Sequence, residues 1–383
     1  MIPYGKQMVT EKDINAVVDV LKSDYLTQGP VLPKFEAAVS KKCGADFGVA
    51  TNSATSSLHI ACLALGVVDK SLVWTSAISF VASSNCALYC GSQVDFVDID
   101  PDTFNISAKT LRQKIQFNLK NKLPLPIVVI VVHMAGQSCD MAGIHILSKE
   151  YGFSIIEDAS HGIGGEYKGN PIGCCEYSDI TIFSFHPVKI ITTGEGGIAL
   201  TKSKALAEKM NLYRSHGVTR DISILKENEG PWYYEQVELG FNYRMTEIQA
   251  ALGLSQLDSL DDFVSQRNSI AKKYSDKLQS KKIILPVTQG YAHSSWHLYI
   301  IQLNVNLVNR EKIFIQLRGK GLGVNVHYRP IYLNPYYQKL GFKKGICPNA
   351  EAYYASCISL PLYHGMSKSE QDTVIEVVNE VCE

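Results

Sequence analysis

Pro126–His133 reads PIVVIVVH, a run with no polar side chain before its final histidine. A strand that is apolar on both faces must be covered on both, which is the condition of a parallel sheet packed between helices. The run is far too short to span a membrane. The chain around it alternates. Phe47–Ala50, Leu72–Trp74, Val94–Ile99, Ser154–Glu157, Ile180–Phe185 and Gly197–Leu200 are expected strands. Ser56–Leu65, Phe80–Leu88, Ser107–Gln116 and Met141–Tyr151 are expected helices between them. This is an α/β pattern, with a mostly parallel sheet of about seven strands and helices on both faces. In such sheets ligands sit beyond the C-terminal strand ends.

The flanks extend the pattern. Thr10 is a candidate N-cap for a helix over Glu11–Lys22, with Asp13 completing an imperfect capping box. Asp24–Pro33 reads as a loop, and Lys34–Lys42 as a helix with Phe35, Ala38 and Val39 inward. Arg220–Leu239 has no clean period and reads as a mobile or partner-facing loop. A long helical tract is expected from GFNYRM onward. At 383 residues the chain exceeds one small core. It is expected to divide into a large domain over 1–255 and a smaller α+β domain over 256–383, joined through that tract. The smaller domain would hold strands at His297–Leu303 and Asn325–His327, and helices at Asn309–Lys320 and Lys368–Val378.

Lys and Arg total 37, as do Asp and Glu. A balanced chain gives no broad basic surface for nucleic acid or an anionic membrane. The ten cysteines show no metal-ligand spacing, so no metal is expected, and scattered reduced thiols fit a cytoplasmic protein. The N-terminus lacks the basic-then-apolar pattern of a secretory signal.

Four segments carry chemistry. Thr51–Ser56, polar and small between a strand and a helix, suits a phosphate held on free amides, or else a plain helix cap. Glu157-Asp158-Ala159-Ser160-His161 ends a strand. An acid there either keeps a cofactor nitrogen protonated or caps structure. Phe80 either covers a flat ring or packs in the core. Phe183–Gly197, FSFHPVKIITTGEGG, holds Lys189 between two turn-rich segments just past a strand, a seat for a reactive amine or a surface loop.

These segments, with SDYLTQGP, TNSATSSLH, VVHMAGQSCDM, IEDASHG, GFNYRMTEIQAALGLSQL and VHYRPIYLNPYY in order, resemble the DegT–StrS family of sugar aminotransferases nearly end to end. The resemblance implies the fold type I, aspartate aminotransferase-like architecture and pyridoxal 5′-phosphate (PLP) as cofactor. It assigns Lys189 to covalent cofactor attachment and proton transfer, and Asp158 to the pyridine nitrogen. His161 falls near the ring hydroxyl and Phe80 on the ring face. Ser53, Ala54, Thr55 and Ser184 fall at the phosphate. Asn242 would reach the phosphate of a neighbouring subunit, implying a homodimer with interfacial sites. Looser substrate candidates are Tyr4, Lys6, Gln7, His216, Arg220, His327 and Tyr328, with Asn211, Trp232 and Arg244 beside them. The chain departs from the family pattern at Val67–Lys70, where relatives carry a glycine turn, and at Ala77, where many carry proline.

The implied reaction takes an amino group from L-glutamate, releases 2-oxoglutarate, and passes the amine to a UDP-linked keto sugar. Within the family, SDYLTQGP and SFHPVKIITTGEGG are most similar to the branch that aminates C4 of an L-series 4-keto-6-deoxy-N-acetylhexosamine for pseudaminic acid and flagellin glycans. A D-series sugar and UDP-4-keto-arabinose are the open alternatives. A binding-only regulatory relative is the reading from another class, which the joint presence of Lys189 and Asp158 disfavours.

Overall fold

The computed structural model describes residues 1–383. Its central sheet has seven strands: β1 (Phe47–Thr51), β2 (Leu72–Ser76), β3 (Gln93–Val97), β4 (Val128–Val132), β5 (Ser154–Asp158), β6 (Ile180–Ser184) and β7 (Gly197–Thr201). Their order is β1-β7-β6-β5-β4-β2-β3. Only β7 runs against the others, antiparallel to both β1 and β6. All of β4 is buried, as its apolar sequence requires.

The N-terminal half and the middle of the chain add nine helices: α1 (Glu11–Leu21), α2 (Val31–Cys43), α3 (Ala54–Ala64), α4 (Ala82–Tyr89), α5 (Ala108–Lys120), α6 (Met141–Tyr151), α7 (Lys204–Arg214), α8 (Glu247–Leu257) and α9 (Leu260–Lys277). The Thr10 capping box forms in full: Thr10 accepts from the Asp13 amide, and Asp13 accepts from Thr10. Pro30 has no capping side chain. The start of α2 is capped instead by the buried Glu247, which accepts from the amides of Val31 (2.6 Å) and Leu32 (3.2 Å). Lys70, in the segment where relatives carry glycine, adopts φ of +66°, a left-handed conformation that a Cβ disfavours.

Several expected boundaries move for identifiable reasons. α3 begins at Ala54, two residues early, because Ser53 in extended conformation caps it through the Ser56 amide. α4 begins after Phe80, leaving that ring outside the helix. The tract expected from GFNYRM becomes helical only at Glu247, where Thr246 and Gln249 form a capping box. It breaks between α8 and α9. Asn325–His327 is not a regular strand. Asn325 makes a single bridge to Ser359, and the paired segment is Leu322–Gly323, which takes Ile2–Pro3 as a parallel partner.

Two cores meet along α9. Leu260, Phe263 and Val264 pack with Phe183, Phe185, Ile190 and Ile191 beside the large sheet. Ile270, Ala271 and Tyr274 pack with Tyr299, Ile301 and Ile358 of a three-stranded antiparallel sheet formed by Ile283–Ile284, Tyr299–Leu303 and Cys357–Leu360. One continuous helix thus ties the C-terminal sheet to the layer beneath Lys189. The ten cysteines are all unpaired. No helix is long and apolar enough to cross a membrane.

Candidate active site

The C-terminal ends of β1, β5 and β6 open into a cavity of about 760 Å³. Ser53, Ala54, Thr55, Phe80, Asp158, His161, Ser184 and Lys189 line it, with Tyr4 from the N-terminal segment and His327 and Tyr328 from the C-terminal region.

Strand periodicity sorts the acidic pair at the end of β5, because neighbouring side chains point to opposite faces. Asp158 faces the cavity. Its Oδ1 accepts from the Ser160 hydroxyl at 2.6 Å and its Oδ2 from the Ser83 hydroxyl at 2.6 Å. Glu157 points the other way, into a buried network with His133 (2.7 Å), Ser178 and Thr181 (3.0 Å). Burial raises the Glu157 carboxyl, but those donors outweigh it and leave it below its ordinary value.

Lys189 sits in a closed turn. Its amide donates to the His186 carbonyl at 2.9 Å, and the Thr193 amide and Thr192 hydroxyl both bond the Phe185 carbonyl. Phe185, Ile190 and Ile191 anchor the turn in the core. The residue remains partly accessible, yet its amine is desolvated enough to be pushed down to about 8, against the opposing pull of the Asp158 carboxylate. A fraction of the amine is therefore neutral near pH 7, as a nucleophile requires.

At the other end of the cavity, the amides of Ala54 and Thr55 open α3 without backbone acceptors. They present a helix N-terminus suited to a phosphate. Gly197 makes this possible. It pairs with Thr51 on one side and Ser184 on the other. A Cβ there would lie 2.4 Å from the Ala54 nitrogen and 2.5 Å from its Cα, so only glycine lets the turn close on the sheet beside Ser184. Gly197→Ala is expected to weaken PLP binding about tenfold or more and to cost about 1–3 kcal/mol of stability from overpacking. Titration of the cofactor-free protein with PLP, alongside thermal unfolding, checks both.

His161 is buried beneath the opening. Its Nδ1 has no partner, and its Nε2 lies 3.4 Å from the Tyr328 hydroxyl. Burial, then the nearby Lys189 and His327, hold it well below its ordinary value, so it is neutral. A neutral ring offers one donor and one acceptor. Phe80 is 60% exposed, its ring 6.4 Å from that of Tyr328 across the opening. An exposed aromatic on a cavity wall leaves apolar surface for a flat ligand to cover. A paired acid, free amides, an orphaned imidazole nitrogen, an uncovered ring and a lowered lysine together fit PLP.

Tyr4 reaches the cavity because Ile2–Pro3 pairs beside Leu322; its ring lies 5.2 Å from that of His327. Lys6, Gln7, Asn211, His216, Arg220 and Trp232 are exposed and do not line the cavity of the single chain. Arg220 lies over Tyr234 instead, at 5.9 Å. Asn242 is also exposed. It adjoins the phosphate end through its carbonyl, which accepts from Asn52 at 3.5 Å, and it does not line its own chain's cavity. Arg244 bridges to Thr51 through the backbone. Sequence reading missed Ser79 and Glu195 in the lining, and His297, whose ring lies 4.3 Å from that of His161 at a tilt of 36°. His297 follows no motif that marks it, since only the fold places it there.

Over residues 7–379 the chain matches the family described as DegT/DnrJ/EryC1/StrS aminotransferase. The chain belongs to this family. It is therefore a PLP-dependent aminotransferase of the fold type I architecture. A Campylobacter jejuni protein named UDP-4-amino-4,6-dideoxy-N-acetyl-beta-L-altrosamine transaminase is 36% identical over 387 residues, covering 100% of this chain and 98% of that one. Among solved structures, Helicobacter pylori PseC, an aminotransferase involved in the biosynthesis of pseudoaminic acid, superposes with a TM-score of 0.89 at 31% identity, covering 100% of this chain and 99% of that one. Streptococcus pneumoniae Spr1654 in its PMP form gives 0.90 at 31%, with the same coverage.

Proposed function

We propose that this aminotransferase moves an amino group from L-glutamate to C4 of a UDP-linked 4-keto-6-deoxy-N-acetylhexosamine of the L-arabino series. The product is UDP-4-amino-4,6-dideoxy-N-acetyl-β-L-altrosamine, a precursor of pseudaminic acid for flagellin or other surface glycans, made in the cytoplasm. The observation that supports this substrate is the end-to-end likeness to the Campylobacter jejuni transaminase of that product. The cavity of about 760 Å³ also leaves room for a sugar beside the cofactor.

When bound, PLP supplies a carbonyl carbon that takes up the donor's amine and a ring that accepts electron density from the donor's Cα. Lys189, its amine lowered by burial, would serve there as the base that takes the donor's Cα proton and as the acid that gives it back. Asp158 keeps a proton on the ring nitrogen through charge pairing. Ala54, Thr55 and Ser184 would hold the phosphate, Phe80 would cover the ring, and His161 would meet its oxygen. Tyr4, His327 and Tyr328 wall the side from which the sugar enters. A second copy of the chain completes the site, its Asn242 reaching the phosphate. Residues 1–255 act as the cofactor-binding unit and 256–383 as the smaller one.

The test is product analysis by mass and NMR, with glutamate and competing UDP-4-keto sugars. The L-series hexosamine is expected to be consumed fastest and to give the altrosamine product. Preference for the D-series sugar or for UDP-4-keto-arabinose would replace the substrate assignment. Failure of glutamate to bleach the visible cofactor band would remove glutamate as donor.

A further inference from the structure

One turn of chain delivers two groups to the cofactor site. Phe80 leads into α4 and lines the cavity, and Ser83, the second residue of α4, is fully buried behind it. The Ser83 hydroxyl lies 2.6 Å from Asp158 Oδ2 and 2.7 Å from the Ser79 hydroxyl. Proton bookkeeping gives this chain a direction. A carboxylate accepts only, so the single Ser83 proton is committed to Asp158, and Ser79 must donate to Ser83. Each bond polarises the next in a buried setting. On its other side Asp158 is held by the Ser160 hydroxyl and amide. With both oxygens anchored the carboxylate is held against rotation, and Oδ2, which takes only the Ser83 hydroxyl, keeps a further lone pair for a ligand.

We infer that Ser83, backed by Ser79, is a positioning residue that fixes the Asp158 carboxylate against the ring nitrogen of the cofactor. This rests on the reading that Asp158 meets that nitrogen. Without Ser83, Oδ2 loses its anchor and the carboxylate turns about the Ser160 side. The ring N–H then loses its aligned partner. The loss of alignment outweighs the gain in electron density on a freed oxygen, because a charge-assisted hydrogen bond weakens steeply off axis.

The holoenzyme loaded with PLP carrying ¹⁵N in the ring reports the protonation of that nitrogen directly, by NMR across a pH series. Ser83→Ala is expected to lower the midpoint of ring deprotonation by about one pH unit, a tenfold weaker hold. The turnover number for the glutamate half-reaction should fall about tenfold, as for other supporting-shell losses, with KM within about twofold. Ser79→Ala should move the midpoint the same way by less, and it carries the test if Ser83→Ala does not fold. A midpoint that is unchanged or raised in the folded variant overturns the inference. Asp158→Asn separates the two readings. If it keeps the protonated signal, the role of Asp158 itself fails. If it loses the signal while Ser83→Ala does not, only the positioning role fails.

Discussion

Lys189→Ala is expected to lose the visible band of covalently held PLP and to lower transamination by about 10⁴-fold or more. The size follows from two losses at one atom. The amine is both the point of attachment and the proton carrier, and a positioned acid–base group alone contributes about 10²–10⁴-fold. PLP should still bind without the covalent link, because the α3 amides and Asp158 belong to other segments and Ser184 lies on β6, ahead of the Lys189 turn. Equilibrium dialysis against spectroscopy separates attachment from binding. Lys189→Arg should behave like alanine in attachment, because a guanidinium stays protonated and offers no free amine. The pH dependence has a definite sign. Burial holds the amine at about 8. Below that value the neutral fraction, and with it the rate of covalent loading, should rise about tenfold per pH unit and then level off above it. A loading rate that keeps climbing toward the ordinary lysine value would show that the amine is not desolvated.

Asp158→Asn is the second large effect. The variant keeps the shape of the side chain and removes its negative charge, so nothing at that end of the ring favours a protonated nitrogen. Half-reaction turnover with glutamate is expected to fall by about 10²–10³-fold, the range found when one preorganised electrostatic group is removed. The protein should remain folded, because an amide oxygen can still accept from Ser83 or Ser160. Asp158→Ala is the harsher change. It leaves the Ser83 and Ser160 hydroxyls without their acceptor, at about 1–3 kcal/mol each where buried. Stopped-flow measurement of the glutamate half-reaction checks the first variant, and thermal unfolding the second. Turnover within a few-fold of the parent in Asp158→Asn would remove the acid from the chemistry.

Much of this molecule was legible in the chain itself. PIVVIVVH forces a strand covered on both faces, and the alternation around it forces the parallel sheet, because short apolar runs separated by helices have few other ways to be buried. Thr10 with Asp13, and Lys189 between its turns, are local patterns whose physics lies within a few residues. The helix starts were less legible. α3 begins where a single cap, Ser53, decides, and α2 borrows its cap from Glu247, more than two hundred residues away.

The site shows the same division. Residue patterns marked Lys189, the acids ending a strand at Glu157–Asp158 and the Thr51–Ser56 segment as candidates, and the family resemblance assigned Asp158 and the Ser53–Thr55 turn among them. Tertiary structure gave Asp158 the cavity and Glu157 a buried network, since only the packed sheet gives its two faces different neighbours. It set the amine of Lys189 apart by desolvation, a property of everything packed around it. It brought Tyr4 beside His327 and Tyr328 by pairing the first residues of the chain with Leu322–Gly323. It also placed Ser83 behind Asp158 and closed α3 on β7 at Gly197. These are contacts between distant segments, and no local pattern in the sequence encodes their distance.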